Sequence, residues 1–331
     1  MDSSACILFV HNWRTPFVQL DLSILQERFQ VTECFLESRR VNLRHIWEQV
    51  ASHDLVFGWF ASWHTFLPLL VARWLGKPSL LIIGGYDVAN MPEIGYGHQR
   101  GGLKKWVSRW TMRLATCLIS ISYYSQWEAE QYAKISKERL HVVYQGIPDP
   151  FGALPKLPRE RMVLTVGNVD RDNLWRKGHE PFVRAAASCP DVRFVLVGEW
   201  KDDAIDDLRA MASPNVTFTG WVERLVLLDY YRKASVYVQA SLHEGFGISV
   251  AEAMLAGCIP AVTRVGALPE VVGDAGVYLA DNTPDGVAKG INKALLMGQE
   301  KQIYARERIL QLFPLEKRKE AFYQHIKILT K

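Results

Sequence analysis

The sequence has no Cys-x-x-Cys pair and no local group of cysteines and histidines, so its spacing offers no zinc site. Its five cysteines, Cys6, Cys34, Cys117, Cys189 and Cys258, are odd in number, scattered and set mostly inside apolar runs. They are expected to be buried thiols of a reducing, cytoplasmic setting, with no bound metal and no cofactor. An excess of one charge is also missing. Lys plus Arg number 39 against 35 for Asp plus Glu, a net of +4. No nucleic-acid-binding motif accompanies that mild excess, so DNA and RNA are not expected as partners. Long apolar runs are scarce too. Residues 55–72 hold no Asp, Glu, Lys or Arg over 18 positions, the length of a membrane span. Yet Gly58, Ser62, His64 and Pro68 interrupt them, and they are expected to divide into a strand at 55–57, a turn and a buried helix ending near Leu75 and Gly76. Near the start, Asp2 stands where a basic region would be and 5–10 is a short apolar run, so no secretory leader is expected. Repeats and low-complexity tracts are absent as well.

What is present is an alternation. The 331 residues, 49% hydrophobic and 22% charged, have room for two ordinary globular domains. In the first half, apolar strand-like runs at 7–10, 31–36, 55–57, 79–83, 118–121 and 141–143 alternate with helical patterns, one of them near 125–133 with Ser125 and Glu128 as a capping box. From Gln145 to Pro158 runs a stretch with four prolines and two glycines, which neither strand nor helix should cross. A second set of strands follows at 163–166, 194–197, 216–219, 236–239, 259–262 and 277–279. Strands without polar alternation, separated by helices, indicate parallel sheets covered on both faces, so the expected class is α/β. The last segment, 302–329, is amphipathic and broken at Phe313 and Pro314.

The most informative stretch is 241–260, SLHEGFGISVAEAMLAGCIP. A strand-like run ends at Ala240, a small loop Glu244-Gly245-Phe246-Gly247 follows, and a helical pattern starts at Ser249, with Gly257 as its C-terminal stop. A strand–Gly loop–helix unit turns free backbone N–H groups and a partial positive charge toward whatever lies above the loop, which favours a phosphate. Glu244 and Glu252 frame that loop. On one helix, eight steps would separate them by about 12 Å. The carboxylate pair of a retaining glycosidase stands only about 5 Å apart, so these two are not expected to share a scissile bond. They suit the two ends of an extended ligand with a diphosphate between, the shape of a sugar nucleotide.

Glu244-x7-Glu252 within HEGFGISVAEAMLAGCIPAV resembles the donor-site motif of retaining glycosyltransferases of family four, which have the GT-B fold. The resemblance continues through GALPE at 266–270, VVGDAG at 271–276, Arg176-Lys177-Gly178 and Val197-Gly198. It covers roughly 160–300 well and the first half loosely. It implies two Rossmann-like domains facing across a cleft: 1–150 on the acceptor side, 151–308 binding the donor, and 309–331 crossing back onto the first domain. It implies roles as well. Lys177 would meet the donor diphosphate, and Arg171 or Arg176 would take over the charge of a family arginine whose place is held by Asn168. Glu252 would hold the ribose and Glu244 would lie by the donor sugar. Gly245, Phe246 and Gly247 would allow close backbone approach, and Gly220 would border the base beside Trp221. On the acceptor side Asp87 stands at the family's acidic position and would project into the cleft, while similar enzymes place a histidine where Gly84 stands. His64 and His98 are further candidates there.

The expected activity is thus a retaining, metal-independent transfer of a sugar from a nucleoside diphosphate sugar to a glycan, lipid or small-molecule acceptor. Two alternatives share the donor pocket: a sugar-nucleotide epimerase of similar fold, which would need an acid and a base beside the sugar, and a non-catalytic sugar-nucleotide-binding protein. The segment 103–113 mixes four cations with two tryptophans at helical spacing. It suits contact with an anionic membrane surface, such as the inner face of the cytoplasmic membrane, or a plain amphipathic helix with its cations in water.

Overall fold

The computed structural model describes residues 5–37, 42–152 and 159–331. Of the proline-rich stretch, 153–158 lie outside the described residues. The chain forms two compact units, Met1–Gly146 with Leu315–Lys331, and Ile147–Pro314. Among the described residues, no helix is long and apolar enough to cross a membrane.

The first unit holds strands β1 (Cys6–His11), β2 (Gln30–Phe35), β3 (Leu55–Trp59), β4 (Ser79–Ile83), β5 (Cys117–Ser120) and β6 (Leu140–Val142), all parallel, in the order β2-β1-β3-β4-β5-β6. Every residue of β3, β4 and β5 is buried, which is why these strands read as unbroken apolar runs. The span-length run at 55–72 is β3 followed by the helix Trp63–Trp74. Pro68 lies inside that helix and does not end it; Gly76, at φ 67°, follows its close. The expected capping box at Ser125 is displaced. The helix is Tyr123–Glu128, capped by Ser122, whose Oγ accepts from the Ser125 N–H at 3.0 Å. Ser125 is therefore the third helical residue, and the chain continues as a π-helical turn over Ala129–Ala133.

The last helix, Leu315–Leu329, packs in this unit through one face. Arg318 and Asp21, neither of them exposed, form a two-pronged ion pair at 2.7 Å on each arm. The Trp59 indole N–H donates to the same carboxylate at 2.9 Å, and Arg318 also donates to the carbonyls of Val143 and Tyr144. Phe322, four residues on, sets its ring edge-on to Phe57 at 5.4 Å.

The second unit holds β7 (Glu160–Val166), β8 (Arg193–Val197), β9 (Val216–Gly220), β10 (Ala234–Gln239), β11 (Ile259–Val262) and β12 (Val277–Tyr278), again all parallel, in the order β12-β11-β10-β7-β8-β9. Counted within the unit this is 3-2-1-4-5-6, the doubly wound order in which the connections reverse direction between the first and fourth strands. That switch point lies between β7 and β10. Its apolar core runs from Val163 and Phe194 through Val236 and Val238 to Ile259 and Ile291. The described end of the proline-rich stretch belongs here: Asp149 pairs with Arg306, and the Phe151 ring meets Tyr231 edge-on at 6.4 Å.

Candidate functional site

The carboxyl ends of β7 and β10 bring together the side chains that Lys177 and Glu244 contribute. After β7 the chain turns through Gly167 and Asn168, forms the short helix Arg171–Arg176, and reaches Lys177 as that helix closes. Gly178, at φ 70°, then starts the next helix, and a Cβ there would stand 2.1 Å from the Ala240 carbonyl oxygen. This close approach, together with the Leu242 N–H donating to the Arg176 carbonyl at 2.9 Å, lays the Lys177 loop against the loop after β10. Lys177 Nζ donates to Glu244 Oε1 at 2.7 Å, with the two side chains 19% and 9% exposed.

Glu244 is held from several sides. Its Oε1 also accepts from Ser241 Oγ at 3.0 Å and from Gln239 Nε2 at 3.2 Å. Gln239 Oε1 in turn accepts from Tyr237 OH, which lies 3.3 Å from the Val166 amide at the end of β7. Burial pushes the Glu244 carboxyl up, but the Lys177 ammonium, the Arg176 guanidinium and the hydrogen bonds from Lys177 and Ser241 outweigh it and hold the group below the usual range. Burial draws the Lys177 ammonium down, with Glu244 pulling the other way. The result is an ion pair at a strand-end switch point, fixed in place by hydrogen bonds. Sequence reading missed Tyr237, Gln239 and Ser241, because two of them alternate with valines and read as ordinary strand residues. The signal was their polar side chains at every second position of an otherwise buried strand end.

The loop Glu244–Gly247 behaves as its glycines require. Gly247, at φ 98°, precedes the helix Ile248–Leu255, a backbone conformation that a side chain would strain. Phe246, however, turns its ring into the protein, 3% exposed and edge-on to Phe313 at 5.3 Å, so its backbone alone borders the loop. Gly245 is partly buried beside it. On the same helix Glu252 has a separate set of partners, Arg224 Nη2 at 2.7 Å and Tyr231 OH at 3.2 Å. Gly220 ends β9 at φ 71°, its carbonyl accepting from the Gly198 N–H at 3.1 Å, while a Cβ on Gly198 would lie 1.9 Å from the Gly167 oxygen. The ends of β7, β8 and β9 thus converge backbone on backbone. Trp221 beyond them is 69% exposed.

Of the two candidate second cations, Arg171 is engaged elsewhere. It pairs with Asp203 at 2.9 Å and with Asp207, both exposed acids. Arg176 remains beside Lys177, donating to Asn173 Oδ1 at 2.6 Å.

In the first unit the expected acidic group does not stand free at its strand end. Asp87 is 1% exposed, and its Oδ2 accepts from the Ala61 N–H at 2.8 Å, tying the loop after β3 to the loop after β4. Burial raises its carboxyl to about 7, against the pull of backbone amides at Ala61 and Gly84. His64 Nε2 lies 2.7 Å from the Trp59 carbonyl oxygen, and burial lowers its imidazole to about 4. His98 is lowered to about 4 by burial and by the charges of Lys104 and Arg100, its ring edge-on to Tyr86 at 4.8 Å. Both are neutral at pH 7. Gly84 has a steric reason: a Cβ there would sit 2.5 Å from the ring of Phe60, a non-glycine residue at φ 64°. The Phe60 ring fills the space that a histidine at 84 would take.

The sequence expectation of no Cys/His group holds for spacing alone. Folding brings ligand-type atoms of Cys117, His141 and His325 within 4.8 Å of one another.

Residues 160–296 match the family model described as "Glycosyl transferases group 1". A glycosyltransferase of Methanocaldococcus jannaschii is 31% identical over 144 residues, 41% of this chain and 36% of that protein. The chain spans about a third of the length of the curated relatives it matches. Among solved structures, Anabaena HepE in complex with UDP and glucose superposes with a TM-score of 0.76 at 17% identity, over 98% of this chain and 100% of that one. Sucrose-phosphate synthase from Thermosynechococcus elongatus superposes at 0.75 and 18% identity, over 98% and 99%. The fold, two parallel six-stranded α/β units, is that of GT-B glycosyltransferase structures.

Proposed function

We propose that this chain, with a GT-B fold and a glycosyl transferases group 1 segment, is a retaining glycosyltransferase of the family-four type. It moves a sugar from a nucleoside diphosphate sugar to a glycan, lipid or small-molecule acceptor. The observation that carries this reading is the Lys177–Glu244 pair, 2.7 Å apart at the strand-end switch between β7 and β10, where open α/β sheets bind their ligands. A diphosphate there meets the Lys177 ammonium, the Arg176 guanidinium and the start of the helix Ile248–Leu255. Glu244 keeps Lys177 charged and aimed, and Glu252 receives hydrogen bonds from the ribose. In the reaction the bond from the anomeric carbon to the diphosphate breaks and the acceptor oxygen bonds the same face. The departing diphosphate takes the acceptor proton. Lys177, Arg176 and the helix start stabilise the charge that develops on the leaving group, so the transfer needs no divalent metal. The acceptor is assigned to the first unit, near the loops that Asp87 joins.

The test compares nucleosides, monophosphates and diphosphates in a thermal-shift panel, followed by transfer assays with and without EDTA. Diphosphates should raise the midpoint most, since ligands that bind the native state stabilise it by mass action, and Lys177→Ala should erase their advantage over the nucleosides. Equal shifts by nucleoside and diphosphate, or transfer that stops in EDTA and returns with magnesium, would overturn the assignment of Lys177.

We also assign peripheral contact with anionic lipid to the helix Gly102–Leu114. Leu103, Trp106 and Trp110 are 77%, 56% and 55% exposed on one face, and the guanidinium groups of Arg109 and Arg113 lie over the two indoles. Co-sedimentation with phosphatidylglycerol vesicles should be lost in the Trp106→Ala, Trp110→Ala double variant, and retention would refute the contact.

A further inference from the structure

Away from the sugar-nucleotide residues, the first unit gathers three metal-ligating side chains from parts of the chain far apart in sequence. Cys117 opens β5, His141 lies on the edge strand β6, and His325 lies on the last helix. The sheet register explains the first two. His141 is aligned with Ile119, and Ile119 points to the same face as Cys117, two residues earlier. The helix supplies the third. Arg318, Phe322 and Ile326 form its buried stripe, and His325, seven residues beyond Arg318, falls on the same side. Cys117 Sγ and His325 Nδ1 are 3.8 Å apart across 208 residues of sequence, and the His141 and His325 rings stand 4.7 Å apart. One ligand atom from each residue lies within 4.8 Å of the other two.

We propose that Cys117, His141 and His325 bind one divalent transition-metal ion of the zinc class, which staples the last helix to the β5–β6 edge of the sheet. Zinc bonds of about 2.3 Å to sulfur and about 2.0–2.1 Å to nitrogen place tetrahedral ligand atoms roughly 3.3–3.6 Å apart. The separations, none above 4.8 Å, close to that by side-chain adjustments of about 1.5 Å or less. His141 is exposed and free to make most of it. One thiolate with two imidazoles is a donor set for zinc, cobalt or copper and a poor one for magnesium or calcium. The exposed side leaves a fourth position for water. Binding releases the thiol proton of Cys117 to solvent as the sulfur–metal bond forms. The site lies wholly in the first unit, so this ion is separate from the metal-independent donor chemistry assigned to the second.

The experiment is a titration of the untagged full chain, kept reduced, with cobalt(II) chloride. One equivalent should produce a thiolate-to-cobalt charge-transfer band in the near ultraviolet, and zinc should displace it. Loss of a second-shell group already costs roughly 10–100-fold in metal affinity, so Cys117→Ser and His141→Gln should each weaken binding by more than about 100-fold. His141→Gln is the safer variant for the fold, because its side chain is exposed. Hydrogen exchange in 315–329 should slow when zinc is added to the wild type and stay unchanged in His141→Gln. Absence of the charge-transfer band, its persistence in both variants, or zinc-independent exchange of the last helix would each overturn the proposal.

Discussion

Replacing Glu244 by glutamine keeps the side chain's size and removes its charge. The lysine that donates to it at 2.7 Å keeps 19% of its side-chain surface, and the glutamate 9%. Breaking such a pair from one side leaves an ammonium with little solvent to replace its partner, and for buried pairs that costs about 3–5 kcal/mol. The partial exposure of Lys177, and the Ser241 and Gln239 hydrogen bonds that glutamine can keep in part, place this case near the lower end, at about 3 kcal/mol. For a unit of this size each kcal/mol moves the midpoint by roughly 2–4 °C, so the loss should be on the order of 6–12 °C. A nucleoside diphosphate supplies a new anion to Lys177. It should therefore stabilise Glu244→Gln by more than it stabilises the wild type, while the bare nucleoside shifts both alike and turnover falls in the variant. The pH dependence has a definite sign. Because the folded carboxyl is held below its ordinary value of 4.5, the pair's stabilisation is fully present above about that pH and is lost as pH falls through the lower, folded value. The gap between wild type and variant should close on acidification. Differential scanning calorimetry across pH, with and without ligand, reads all of this. A variant within about 1 kcal/mol of wild type, as for a surface pair, or equal shifts by diphosphate and nucleoside, would refute the reasoning.

Glu252→Ala should weaken nucleoside diphosphate binding by about 1.5–3 kcal/mol, the worth of hydrogen bonds to a charged group; unchanged affinity by calorimetry would remove Glu252 from the ribose. Asp87→Asn should change the pH profile of stability. The folded carboxyl titrates near 7 and its ordinary value is 3.8, so the wild type should lose stability relative to the variant by roughly 1.4 kcal/mol per pH unit as pH rises through that window. Parallel urea-unfolding curves at pH 4 and 7 would contradict it, and wild-type transfer rates in the variant would leave Asp87 a loop tie with no part in acceptor binding. Arg318→Met should strand the buried Asp21 carboxylate and destabilise the chain by about 3–5 kcal/mol. The double variant Arg318→Met, Asp21→Leu should recover much of that in denaturant unfolding, and an equal loss in both would mean that the hydrogen bonds to Val143 and Tyr144 carry the helix instead.

The α/β class, the strand positions and the loop Glu244–Gly247 could be read from the chain, because they rest on local physics. Buried parallel strands leave unbroken apolar runs, and a tight strand-to-helix loop needs glycine at positive φ, as at Gly247. Lys177 and Glu244 could be named separately by resemblance. That they touch was decided by the switch in strand order between β7 and β10, a long-range choice that no local pattern records. Tertiary structure likewise paired Arg171 with acids at 203 and 207 that come from another segment. It buried Asp87, tied its carboxylate to the Ala61 N–H, and set the Phe60 ring against Gly84. The same holds for Cys117, His141 and His325. Sequence spacing showed three isolated residues, and only the closing of the last helix onto the sheet made them neighbours.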